Sequence, residues 1–122
     1  MPAPKRFRTR AFHAQNGRCY YCGAPMWLDD PLAFAKAYRC TPGQLPALQA
    51  TAEHLVAVCD GGKTTAANIV AAHRLCNRRR HMAKVPLAPD RYRERVTGRV
   101  ARGKWFDNTL RALTRHAPHV PS

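Results

Sequence analysis

Ala52-Glu53-His54-Leu55-Val56, then Asp60-Gly61-Gly62, then Asn68-Ile69-Val70, then His73-Arg74-Leu75-Cys76-Asn77-Arg78-Arg79-Arg80: this ordered run decides the fold. Leu48 to Val58 reads as the first strand of a hairpin. Gly61-Gly62 supplies a flexible turn, and Thr64-Thr65 follow as polar loop residues. Asn68 to Val70 opens a short return segment. From about Ala71 to Ala83 the composition predicts a helix, with Pro86 beyond its end. The unit is a hairpin followed by a helix.

Upstream, residues 4–16 predict a helix with Phe7, Ala11 and Ala14 near one face, stopped by Asn16-Gly17. A tight knuckle follows, Cys19-Tyr20-Tyr21-Cys22-Gly23. Pro31 to Tyr38 predicts a short helix, since proline is tolerated in a first turn. Residues 40–47, with Pro42, Gly43 and Pro46, read as loop. Downstream, two further helices are expected over 89–97 and 104–115, separated by Gly98 and Gly103. The 122 residues suit a single α+β domain. Its core spans about 17–83, and a basic helical extension spans about 88–116. A chain this small buries a modest core and gains from a cross-link.

The cysteines are Cys19, Cys22, Cys40, Cys59 and Cys76. An odd number without an export signal favours metal ligation over a disulfide framework, and a cytoplasmic location. Cys19-x2-Cys22 and His73-x2-Cys76 are two half-sites. Zinc takes four ligands in a tetrahedron, commonly thiolate sulfur and imidazole nitrogen. The two-residue spacer lets one turn aim both Cys19 and Cys22 at one ion. On a helix, His73 and Cys76 share a face. The expected site holds a structural Zn2+ by three thiolates and one imidazole, tying the knuckle to the central helix. Cys40 is an alternative for one ligand; otherwise Cys40 and Cys59 are expected as buried thiols.

Lys and Arg number 21 against 7 acids, a net charge of +14. Such an excess opposes compaction unless anions neutralise it, and nucleic acid is the commonest polyanionic partner. No long apolar run or bulky amphipathic anchor supports a membrane instead. Arg74, Arg78, Arg79, Arg80 and Lys84 cluster on and just after the predicted central helix. They are the expected contacts to the DNA phosphate backbone, which position a duplex without reading bases.

The opening run, with the cysteine knuckle before it, resembles the HNH nuclease family and its ββα-metal fold. The likeness covers roughly residues 17–82. It lies in an acid–His pair ending a strand, a Gly-rich turn, an Asn opening the return segment, and a helix carrying Cys-Asn. The resemblance implies a metal-dependent DNA endonuclease that nicks or cuts both strands. It casts His54 as the general base, a role suited to imidazole near neutral pH. It casts Glu53 and Asn77 as oxygen ligands of a catalytic Mg2+ or Mn2+. Asn68 orients His54 or braces the hairpin. His81 lies four residues after Asn77 and is a candidate extra ligand, which would also suit Ni2+. The chain departs from the family in having Glu53 where Asp is frequent, and a long segment, 23–47, between knuckle and strand. A homodimer or larger nuclease complex would allow both strands to be cut. The rival reading is a zinc-containing module that binds nucleic acid without cleaving it.

Overall fold

The computed structural model describes residues 2–107, 110 and 113. Helix α1 spans Ala3–Ala14. It stops where Asn16 and Gly17 both take positive φ, with the Gly17 N–H donating to the Phe12 carbonyl at 2.9 Å. The chain then enters the knuckle, where Gly23 at φ 76 closes the turn and donates to the Cys19 carbonyl at 2.9 Å. Helix α2, Pro31–Tyr38, is capped by Asp30, whose Oδ1 accepts from the Ala33 N–H at 3.0 Å.

Residues 40–47, expected as loop, hold local structure. A 3-10 turn spans Pro42–Gln44, and a one-turn helix α3 spans Leu45–Leu48. Pro46 falls in the first turn of α3, where a missing N–H is harmless. The Gln44 side chain returns to the Thr41 N–H at 2.8 Å, and Leu48 is fully buried.

Strand β1 is shorter than expected, Ala50–His54 rather than Leu48 to Val58. Strand β2 is Ile69–His73 and pairs antiparallel to it, with Ala50 opposite His73 and His54 opposite Ile69. Ala71, Ala72 and His73 are therefore strand, not helix. Ala71 and Ala72 are 0% exposed. Their small side chains allow close packing beside α1, and pairing outweighs alanine's local preference for helix. Helix α4 begins only at Arg74 and runs to His81.

Side chains and loops cover the strand edges. The Gln15 amide pairs with Ala71 as a strand would: Oε1 accepts from the Ala71 N–H at 2.9 Å, and Nε2 donates to its carbonyl at 2.8 Å. On β1, the Ala50 N–H donates to the Trp27 carbonyl at 2.8 Å.

Helix α5 runs unbroken over Pro89–Ala101, so Gly98 lies inside it and separates nothing. A glycine costs a helix interior only about 1 kcal/mol relative to alanine, and burial of Tyr92 and Val96 anchors α5 to the core. The chain turns at Gly103, φ 68. The helix expected to start at 104 does not: residues 104–107 are bends and irregular chain, and half of the stretch 104–115 lies outside the described residues, though Trp105, Phe106, Leu110 and Leu113 are buried in the core. Among the described residues, no helix is long and apolar enough to cross a membrane.

Candidate metal centre and active site

The hairpin and knuckle bring Cys19, Cys22, His73 and Cys76 together. All four are buried, and their ligand atoms lie within 4.8 Å of one another. His73 Nδ1 is 3.2 Å from Cys22 Sγ and 3.8 Å from Cys76 Sγ. Ligands of a tetrahedral zinc ion, at about 2.3 Å for sulfur and 2.0 Å for nitrogen, stand roughly 3.5–3.8 Å apart. The donor set fits zinc. Neither Cys40, half-buried beside the Tyr38 carbonyl, nor Cys59, exposed on the loop after β1, joins it. Neither is the buried thiol expected.

The junction between β2 and α4 makes this geometry. His73 is the last residue of β2 and has extended backbone, φ −51 and ψ 141, as it enters α4. It therefore acts from the strand end and Cys76 from the first turn, not from one helix face. A second layer of bonds orients the ligands. His73 Nε2 faces the Pro25 carbonyl at 2.7 Å, which leaves Nδ1 for the thiols. The His73 N–H points at Cys19 Sγ, and the Trp105 indole N–H at Cys76 Sγ, each at 3.4 Å. Tyr92 donates its hydroxyl to the Cys76 carbonyl at 2.6 Å.

Protons are unevenly held in this cluster. Burial penalises the Cys19 thiolate, but hydrogen bonds from Cys22 and Cys76 and the His73 charge outweigh it and hold Cys19 well below the ordinary thiol range. Burial, then hydrogen bonding to Cys19, pushes Cys22 up. Burial, then hydrogen bonding to Cys19 and Cys22, pushes Cys76 up. For His73, burial acts downward, yet the Cys22 and Cys19 charges prevail and raise it well above the usual imidazole value.

A second cluster forms where β1 meets the end of α4. Glu53 is 3% exposed. Its Oε2 accepts from the Tyr21 hydroxyl at 3.0 Å and from Arg80 Nη1 at 3.2 Å. His81 Nε2 lies 3.1 Å from Oε1 and 3.2 Å from Oε2. Burial first, and then the Glu53 charge, pushes the Tyr21 hydroxyl far above its ordinary value, so it stays a donor. Thr51, two residues before Glu53, is on the same strand face, and its Oγ1 accepts from Asn77 Nδ2 at 3.2 Å. That bond uses the Asn77 amide nitrogen and not its Oδ1. Glu53, His81 and Asn77 thus come from β1 and one side of α4. Carboxylate, imidazole and amide oxygen are donor types that a divalent ion such as Mn2+ or Mg2+ accepts.

His54 closes β1, and its Nε2 lies 3.0 Å from Thr64 Oγ1. Asn68 fixes the loop between them. Its Oδ1 accepts from the Val56 N–H at 2.8 Å, and its Nδ2 donates to the Val56 and Lys63 carbonyls at 3.0 and 2.9 Å. Asn68 therefore braces the hairpin, one of the two uses expected of it.

The arginines divide. Arg74, Arg78, Arg79 and Lys84 are exposed. Arg79 also stacks on Trp105 at 4.7 Å and donates to its carbonyl at 2.8 Å. Arg80, expected among the phosphate contacts, is instead 6% exposed, bonded to Glu53 and to the Leu87 carbonyl. It follows Cys76 by four residues and so shares that residue's buried face. That spacing was the available sequence signal. Tyr21, Thr64, Tyr92 and Trp105 carried no comparable one, because each meets its partner only through tertiary contact.

The HNH endonuclease family model matches residues 39–82. That stretch holds β1, the loop, β2 and α4, with His73 and Cys76 of the zinc set, while the Cys19–Cys22 knuckle, α1 and α5 lie outside it. No curated protein and no solved structure gives a match.

Proposed function

We propose that this HNH-matched chain, acting as one domain, is a metal-dependent DNA endonuclease that hydrolyses phosphodiester bonds. Convergence of Glu53 and His81 to 3.1 Å, one residue from His54, carries the reading. Glu53, Asn77 and His81 would hold the divalent ion. Glu53 is buried and His81 is 38% exposed, so the pair meets solvent from the His81 side. When bound, the ion supplies charge stabilisation at the scissile phosphate and leaving oxygen.

His54 acts as general base toward the attacking water. In the tautomer whose Nε2–H donates to Thr64, Nδ1 is the proton acceptor. Asn68 keeps the loop, and with it Thr64, beside the ring. The zinc cluster anchors the start of α4, and so the helix bearing Asn77 and His81. Arg74, Arg78, Arg79 and Lys84 supply cationic contacts along a DNA backbone.

Supercoiled plasmid with Mg2+, Mn2+, Ni2+ or EDTA tests this, wild type beside His54→Ala. Metal-dependent nicked or linear product from wild type only, with DNA binding kept in the variant, is the expected result. Equal cleavage by His54→Ala would refute the general base. Binding without cleavage by either protein would make the chain a zinc-containing nucleic-acid-binding module.

A further inference from the structure

We propose that Tyr21 is a positioning residue for the catalytic divalent ion: together with Arg80 it pins one oxygen of Glu53, so that the other faces the ion site. The inference rests on Glu53 and His81 being ligands of that ion.

Both clamping bonds fall on Oε2, at 3.0 Å from the Tyr21 hydroxyl and 3.2 Å from Arg80 Nη1. They arrive from separate elements, the zinc knuckle and α4. His81 Nε2 straddles the two oxygens, 3.1 Å from Oε1 and 3.2 Å from Oε2, so Oε1 is the oxygen that neither Tyr21 nor Arg80 holds. A free carboxylate offers both oxygens in any rotation about its last torsion. Two donors on one oxygen remove that freedom and select an orientation. A glutamate has one more torsion to freeze than an aspartate, so Glu53 has particular need of an outer support.

Tyr21 is well placed to give it. Its side chain is 2% exposed. Its ring lies edge-on to Tyr92 at 4.8 Å and to Tyr20 at 5.3 Å. The next residue is Cys22, a ligand of the candidate zinc centre. The two metal sites are thereby linked by a short rigid path from Cys22 through the Tyr21 hydroxyl to Glu53. The two donors also differ in charge. Arg80 fixes Glu53 but opposes a nearby cation, whereas Tyr21 is neutral and fixes it without that opposition. Outer partners of this kind commonly govern metal affinity.

The test is Mn2+ titration of zinc-loaded protein without DNA, following the electron paramagnetic resonance of free Mn2+. Wild type, Tyr21→Phe, Arg80→Lys and Glu53→Gln are compared, with zinc content and thermal melting measured on each. Glu53→Gln should lose the site. Tyr21→Phe should keep zinc and melt near wild type, yet bind Mn2+ about tenfold more weakly. Wild-type Mn2+ affinity in Tyr21→Phe, with Glu53→Gln defective, overturns the positioning role alone. Wild-type affinity in Glu53→Gln overturns Glu53 as a ligand, and this inference with it. If Tyr21→Phe loses zinc, Arg80→Lys reads the same clamp from α4. It keeps the positive charge and loses the planar donor, so weaker Mn2+ binding supports the clamp and unchanged binding overturns it.

Discussion

Gly62→Ala tests how tightly the loop beside His54 is built. A Cβ at position 62 would stand 1.7 Å from the Val56 carbonyl oxygen, 2.5 Å from its carbon and 2.9 Å from the Ala57 oxygen. Real Cβ atoms essentially never come within 3.0 Å, so the two loop limbs must part by 3.0 − 1.7, about 1.3 Å. The bonds stretched by that movement are Gly62 N–H to the Ala57 carbonyl, 2.9 Å, and Asn68 Nδ2 to the Val56 carbonyl, 3.0 Å. At about 1 kcal/mol each they total about 2 kcal/mol, and residual overpacking adds about 1 kcal/mol. Residues 58–61 are exposed, so the loop can move outward rather than strain the core, which bounds the cost near that sum. For a chain of this size about 3 kcal/mol lowers Tm by roughly 10 °C. Circular dichroism melts of the zinc-loaded protein measure it. Plasmid cleavage should fall as well, since Thr64 lies on the displaced segment. A melt within about 2 °C of wild type would refute the reasoning, because it would mean that the limbs separate without losing their bonds.

Three further outcomes are expected. Zinc affinity should rise with pH. Cys22, Cys76 and His73 are all shifted upward and hold protons that zinc must displace, so acid competes with the metal and alkali does not. Indicator-dye titration should show proton release on zinc loading, and pH-independent affinity would contradict the assignment. Thr64→Val should lower the cleavage rate about tenfold at unchanged DNA affinity, with Thr64→Ser restoring it; a wild-type rate in the valine variant would remove Thr64 from the support of His54. Arg78→Ala and Arg80→Ala should separate cleanly. The first should weaken DNA binding and reduce the salt slope by about 1 with little change in melting. The second, leaving buried Glu53 without its cation, should cost about 3 kcal/mol in chemical denaturation. Equal effects of both on stability would contradict the burial difference.

By itself the sequence singled out Cys19, Cys22, His73 and Cys76 as the candidate zinc set, because two short-spaced half-sites in a chain with a thin core leave few other uses for them, whereas leaving Cys40 out of the set took the tertiary structure. It also determined the order of hairpin and helix, since Gly61-Gly62 and the Asn68 segment are local turn chemistry. It aligned His81 with Asn77 along α4, because that follows from backbone periodicity. The residue pattern alone runs the first strand on to Val58, and only the family resemblance implies its end at His54. The switch from strand to helix at His73 was decided by tertiary structure. Ala71 and Ala72 have no local reason to be strand; pairing with Ala52 and Thr51 and packing beside α1 supply it. Arg80 and Tyr21 were likewise decided by distant neighbours. An arginine in a basic run reads as solvent-facing until a buried carboxylate is found opposite it, and nothing near Tyr21 in sequence announces Glu53, 32 residues away. Local chemistry fixes turns, half-sites and helix faces, whereas the partner of a buried polar group depends on which elements the fold brings into contact.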